Sequence, residues 1–168
     1  MKTFKNRLLF NIHYFLFWIV YFVFARLFFL LYYFDQSQEL GFLIIIKTFL
    51  YGLQLDASFA AYLSFIPFLL ATFSTIISPK TIVKIIKWYT IPVLLFINFM
   101  LLIDAGLYQA WGVRIDTSLL PYLNTPQLMI SSASTFQLIS GLFSWILISL
   151  FFIKLFNKNS QRTSHKLN

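Results

Sequence analysis

Five charged residues set in apolar surroundings are the ones with chemistry to offer: Arg26, Asp56, Asp104, Arg114 and Asp116. A guanidinium grips a carboxylate through two parallel hydrogen bonds, and the same fork fits a phosphate. A charge inside an apolar span is costly unless it is paired. The readings open for this group are therefore a structural clamp tying an outer loop to the ends of helices, or else a contact for a lipid headgroup or a docking surface for an outer domain. Other chemistries are excluded by what surrounds the remaining residues. The chain has no cysteine, which removes disulfides, thiol catalysis and cysteine metal sites together. Neither histidine, His13 or His165, has an acid close in sequence, so no metal-ligand set forms around them. The five glycines are dispersed and make no phosphate-cradling loop. Serine, histidine and aspartate fall on different sides of long apolar runs, which argues against a triad, and no threonine has an activating neighbour. We expect no catalytic residue, no metal and no cofactor here. Asn98, alone in its apolar stretch, is expected to make an interhelical hydrogen bond.

The elements that must position these residues are apolar and long. The hydrophobic fraction is 60 %, only 11 % of residues are charged, and 22 are phenylalanine. A water-soluble fold of this size could not hide that much apolar surface. Four stretches, 8–33, 55–77, 82–107 and 136–155, are each long enough to cross a hydrocarbon core of about 30 Å. Basic residues alternate around them. Lys2, Lys5 and Arg7 precede the first, Lys80, Lys84 and Lys87 open the third, and Lys154, Lys158, Arg162 and Lys166 end the fourth. The acids, Asp35, Glu39, Asp56, Asp104 and Asp116, lie in or beside the opposite connections. Cytoplasmic loops retain Lys and Arg, so both termini are expected in the cytoplasm. The net charge of +8 is thereby matched to anionic headgroups, and nucleic acid is excluded as a partner because no aromatic–basic platform for bases accompanies it. The first apolar run is too long for the core of a cleaved signal peptide.

The fold class expected is all-α: a polytopic transmembrane bundle of four spans plus an outer interfacial amphipathic helix. That helix is placed over 40–53, where Leu43, Ile46, Leu50 and Leu53 share a face and Lys47, Tyr51 and Gln54 another. Gly52 is expected to bend the chain into the bilayer, and Pro67 and Pro92 to kink the second and third spans. The transmembrane domain covers 1–156 and includes an outer loop at 108–135, long enough to need structure of its own. Within it Thr125–Pro126 reads as a helix start, and Tyr108 and Trp111 suit a membrane boundary. A basic tail, 157–168, is expected to be disordered and cytoplasmic.

Two separated strings carry a resemblance. One is Asp104-Ala-Gly-Leu-Tyr108-Gln-Ala-Trp111-Gly112-Val-Arg114-Ile-Asp116, followed by Leu119-Leu-Pro121-Tyr122-Leu123. The other, upstream, is Tyr51-Gly52-Leu-Gln54-Leu-Asp56, followed by Ala61-Tyr62-Leu-Ser64 and Pro67. In this order they resemble the membrane region of the lipoteichoic acid synthase family, sulfatase-like phosphoglycerol and phosphoethanolamine transferases. Gln54 departs from the pattern, standing where a basic residue is expected. The resemblance implies a bacterial cytoplasmic membrane and a bundle of about five helices. It also implies an extracytoplasmic catalytic domain with a threonine nucleophile and a metal held by acids and histidine. None of that machinery occurs in this sequence. The expectation is a membrane anchor truncated before, or split from, its catalytic domain, with Arg26, Asp56, Asp104, Trp111, Arg114 and Asp116 as clamp or headgroup contacts. Its partners would be the lipid bilayer, anionic phospholipid headgroups and a separate catalytic domain. The alternative is a stand-alone membrane protein that binds a partner or lipid without catalysis. Orientation is directly testable: a reporter active only outside the cytoplasm, fused after Asn168, is expected to stay silent, and a bright signal reverses the assignment.

Overall fold

The computed structural model describes residues 2–72, 78–112, 114–115 and 134–167. Their regular structure is entirely helical: α1 Lys2–Tyr32, α2 Phe34–Glu39, α3 Phe42–Thr72, α4 Pro79–Trp111 and α5 Thr135–Leu167. Within these, Lys5–Tyr32, Phe42–Thr72, Thr81–Gln109 and Thr135–Ser160 are long and apolar enough to cross a membrane. The shortest, 26 residues, measures about 39 Å at 1.5 Å per residue, more than a hydrocarbon core requires. This is a polytopic membrane protein.

The side chains of α1 show why water is the wrong solvent. Leu8, Ile12, Leu16, Val20, Val23, Leu27 and Leu31 recur every three or four residues and are all exposed. The stripe runs for about 35 Å, close to the thickness of a bilayer core. The other face of α1 buries Phe10, Tyr14, Phe17, Trp18 and Tyr21. An outward apolar stripe of that length on a helix that also buries its other face suits a membrane span, where lipid covers it.

The chain divides into two compact units, Met1–Ile91 with Lys154–Asn168, and Pro92–Ile153. In the first, rings do most of the packing. Phe156 of α5 sits 6.1 Å from Tyr14 and 5.4 Å from Phe17, and Phe59 of α3 lies edge-on to Phe22 at 5.9 Å. Ala60 and Ala71, both buried, let the α3 backbone come close to its neighbours. The first turns of α4 bury Ile82, Ile86 and Thr90. The Thr90 hydroxyl donates to the Ile86 carbonyl at 2.7 Å, so the Tyr14 hydroxyl is the donor in its 2.9 Å bond to Thr90 Oγ1. In the second unit Asn98 Nδ2 donates to Ser149 Oγ at 3.0 Å, the interhelical bond expected of a lone membrane asparagine. Trp145 Nε1 donates to the Leu95 carbonyl at 3.0 Å, and its ring packs edge-on to Phe99.

Helix starts follow local chemistry. Ser78 precedes Pro79 at the head of α4, and Ser78 Oγ accepts from the Thr81 amide at 3.4 Å, the arrangement of an N-cap with proline in the first turn. At α5, Ser134 Oγ accepts from the Gln137 amide at 3.2 Å while Gln137 Oε1 accepts from the Ser134 amide at 2.8 Å. This reciprocal pair is a capping box.

Two expectations change. Residues 40–53 do not form a separate interfacial helix: α3 runs unbroken from Phe42 to Thr72 and makes one candidate span. No proline occurs before Pro67, and one glycine costs a helix only about 1 kcal/mol, too little to end it at Gly52. The short helix beside the turn is instead α2, held by Ser37 Oγ donating to the Leu30 carbonyl at 2.9 Å. Residues 157–167 are helical, a continuation of α5. Extending an existing helix adds one hydrogen bond per residue without a new nucleus, and neither proline nor glycine follows Gly141. The Thr125–Pro126 start lies outside the described residues.

Pro67 and Pro92 both lie inside helices. A proline cannot donate to the carbonyl four residues earlier, which at Pro67 is that of Leu63. The Tyr89 hydroxyl of α4 donates to this same carbonyl at 3.3 Å. A side chain from the neighbouring helix thus satisfies the group that the proline deprives. Tyr89→Phe is expected to cost about 0.6 kcal/mol in a detergent unfolding measurement. The cost should shrink in a Pro67→Ala background, where the residue-67 amide is restored; an unchanged cost refutes the coupling.

Candidate functional site

Arg26 lies less than two turns from the end of α1 and faces α3. Its Nη1 donates to Asp56 Oδ2 at 2.9 Å and its Nη2 to Asp56 Oδ1 at 3.0 Å. This is the bidentate geometry that distinguishes arginine from lysine. The side chains retain only 19 % and 9 % exposure, so the pair is largely withdrawn from solvent and each charge depends on the other.

The surroundings of the guanidinium are built for it. Phe49, Gly52 and Asp56 are spaced by three and four residues and share one face of α3. The guanidinium lies over the Phe49 ring, 5.8 Å from its centroid, within reach of a cation–π attraction. At Gly52 a Cβ atom would collide with the guanidinium carbon and both terminal nitrogens of Arg26. Gly52 therefore serves close approach: the missing side chain is the floor on which Arg26 rests. Sequence reasoning paired Arg26 with the outer acids but missed Phe49. The signal was Phe-x-x-Gly-x-x-x-Asp, an aromatic, a gap and an acid at helical spacing.

The second unit holds a second pair. Asp104, buried near the end of α4, accepts from Arg114 Nε at 3.0 Å and from Arg114 Nη2 at 2.5 Å, both through Oδ2. Its Oδ1 accepts from the Ile115 amide at 2.8 Å. One carboxylate thus fastens both a side chain and the backbone of the segment that leaves the helix. Gly112 makes the reversal feasible. Its φ of 69° lies in the left-handed region, where a Cβ is disfavoured, and its amide bonds to the Tyr108 carbonyl at 2.9 Å. Arg114 stays 64 % exposed, so its charge is screened and its main contribution is direction. Trp111 is the last residue of α4. Asp116 lies outside the described residues.

Four of the six site residues expected from sequence thus form two Arg–Asp pairs, one per unit: Arg26 near the end of α1 with Asp56 within α3, and Asp104 near the end of α4 with Arg114. Among the described residues no three His, Asp or Glu side chains come together as a metal-binding group. Each pair sets a guanidinium against a carboxylate, an arrangement that can hold structure and, through the guanidinium, an anion. No protein-family model, curated protein or solved structure matches this chain.

The Arg26 seat gives a prediction whose sign reverses with background. Asp56→Ala leaves Arg26 unpaired in a dry setting and is expected to cost about 3 kcal/mol. Arg26→Met with Asp56→Leu removes both charges and should recover most of that loss. Gly52→Ala displaces the guanidinium and destabilises the wild-type chain; in the double variant it should stabilise, by up to about 1 kcal/mol from helix propensity alone. Detergent unfolding midpoints for the wild type and these four variants decide this. If Gly52→Ala has the same sign in both backgrounds, the seat is wrong.

Proposed function

We propose that this chain is the membrane-anchor portion of a sulfatase-like phosphoglycerol or phosphoethanolamine transferase of the bacterial cell envelope. Its work is to hold, from within the cytoplasmic membrane, a catalytic domain that acts at the outer leaflet. There the headgroup donor is itself a lipid, and fixing the active site at the membrane surface replaces a bimolecular search by a positioned encounter. Both termini lie in the cytoplasm in this reading, and the Arg–Asp pairs lie toward the outer surface. The transfer chemistry belongs to the separate catalytic domain.

One observation carries the reading. Each string that carries the resemblance contributes to one of the two Arg–Asp pairs: Gly52 and Asp56 in the upstream string seat Arg26, and Asp104, Gly112 and Arg114 in the downstream one fasten the end of α4. Charge pairs that fix one helix or its end suit an anchor, because a load attached outside is positioned only as well as the helices are fixed. Arg114 remains accessible and can exchange its carboxylate partner for a headgroup phosphate without rebuilding the fold.

The reading is tested by function in the family's own order. The chain is joined through one added transmembrane helix to the catalytic domain of a lipoteichoic acid synthase and produced in cells lacking their own synthase. Polymer synthesis is expected, reduced about tenfold by Asp104→Ala if the brace contributes about 1.4 kcal/mol to positioning. A fusion that inserts fully yet transfers nothing, while the same catalytic domain on its native helices is active, overturns the proposal.

A further inference from the structure

A groove of about 340 Å³ runs between α1 and the C-terminal part of α5, within the first unit. Its walls change character along its length. His13 of α1 and Lys158 and Asn159 of α5 line one end; Leu16, Phe17 and Val20 of α1 with Leu155 of α5 line the rest. His13, Lys158 and Asn159 line the same groove, and beside it Phe156 of α5 packs against both Tyr14 and Phe17 of α1. The polar end is thus the end nearest the chain termini, and the apolar part extends toward the middle of the span.

The cation at the polar end has no acid to answer it. No Asp or Glu occurs in residues 1–34 or 117–168, and Lys154 precedes Lys158 by one turn on α5. His13 has one nitrogen committed: Nδ1 lies 2.6 Å from the Leu9 carbonyl, which can only accept, so Nδ1 is the donor and Nε2 is left for another partner. An exposed lysine, an imidazole nitrogen and an amide above a strip of Leu16, Val20 and Leu155 match one kind of molecule, with an anionic head and an apolar tail.

We infer that this groove is a binding site for an anionic phospholipid of the surrounding leaflet. Lys158 engages the phosphate beside His13 and Asn159, and one acyl chain lies along Leu16, Val20 and Leu155. The inference is independent of the anchor reading and of which side of the membrane the termini face. It requires only that the termini lie at headgroup depth.

The test uses the full chain in detergent, titrated with phosphatidylglycerol and with phosphatidylcholine of identical acyl chains, with bound lipid counted by native mass spectrometry. The wild type is expected to favour phosphatidylglycerol about fivefold, the advantage one cation gives near a membrane surface, and Lys158→Gln should abolish the preference. Val20→Trp fills the apolar part from an exposed position and should lower binding of both lipids. Lys47→Gln, on α3 outside the groove, should change nothing. Equal losses from Lys158→Gln and Lys47→Gln would mean general charge attraction and overturn the site. Undiminished binding in a folded Val20→Trp, or full displacement of the lipid by glycerol phosphate, would mean an anion site without an acyl groove and also overturn it. Should Val20→Trp fail to insert, the comparison of Lys158→Gln with Lys47→Gln decides alone.

Discussion

Inside a bilayer no water is available to satisfy a polar group, so each must find its partner within the protein. That constraint organises the structure more than any apolar contact does. Arg26 has Asp56, Asn98 has Ser149, Trp145 Nε1 has the Leu95 carbonyl, and the Leu63 carbonyl freed by Pro67 has the Tyr89 hydroxyl. Tyr14 bonds to Thr90, which in turn is satisfied by its own helix. All but the last of these bonds tie one helix to another, and each stabilises because the alternative is a polar group facing hydrocarbon.

Apolar side chains play a different part from the one they have in water. Lipid tails are as apolar as leucine, so burying a leucine against another helix gains little, and association rests on close packing and hydrogen bonds. The sequence is spent accordingly. Leucine, isoleucine and valine make the outward stripe of α1, while the inward face holds Phe10, Tyr14, Phe17, Trp18 and Tyr21. Rings pack edge-on between helices, as Phe22 does on Phe59 at 5.9 Å, and some carry polar tips that bond across them, as Tyr14 does to Thr90. Buried alanines on α3 allow the backbones to approach.

Gly52 joins the two themes. A residue with any side chain there would push the Arg26 guanidinium away from Asp56, so the absence of one atom maintains a charge pair. Gly112 does the equivalent at the end of α4 by a different route, turning the backbone so that Arg114 and the Ile115 amide reach Asp104. The two residues are chemically identical and structurally unlike: one is needed for space, the other for a left-handed φ.

The number of spans, their order and the identity of the charged residues were legible in the sequence, because hydropathy over twenty residues depends only on composition along the chain. Asn98 was legible for the same reason, since a lone asparagine in hydrocarbon must find a partner whatever the packing. The continuity of α3 was not. Residues 40–53, apolar but with Lys47 inside the run and Gly52 near its end, read as an interfacial helix, whereas in the structure Phe42 to Thr72 form one helix. Nor could sequence assign Arg26 to Asp56 in particular, place Phe49 beneath it, or join Tyr89 to the carbonyl that Pro67 exposes. Those pairings lie between 23 and 30 residues apart along the chain and are set by how neighbouring helices rotate about their axes. A helix that is apolar on every side carries no preferred face of its own; the few polar partners settle the rotation, and they do so only once the helices meet.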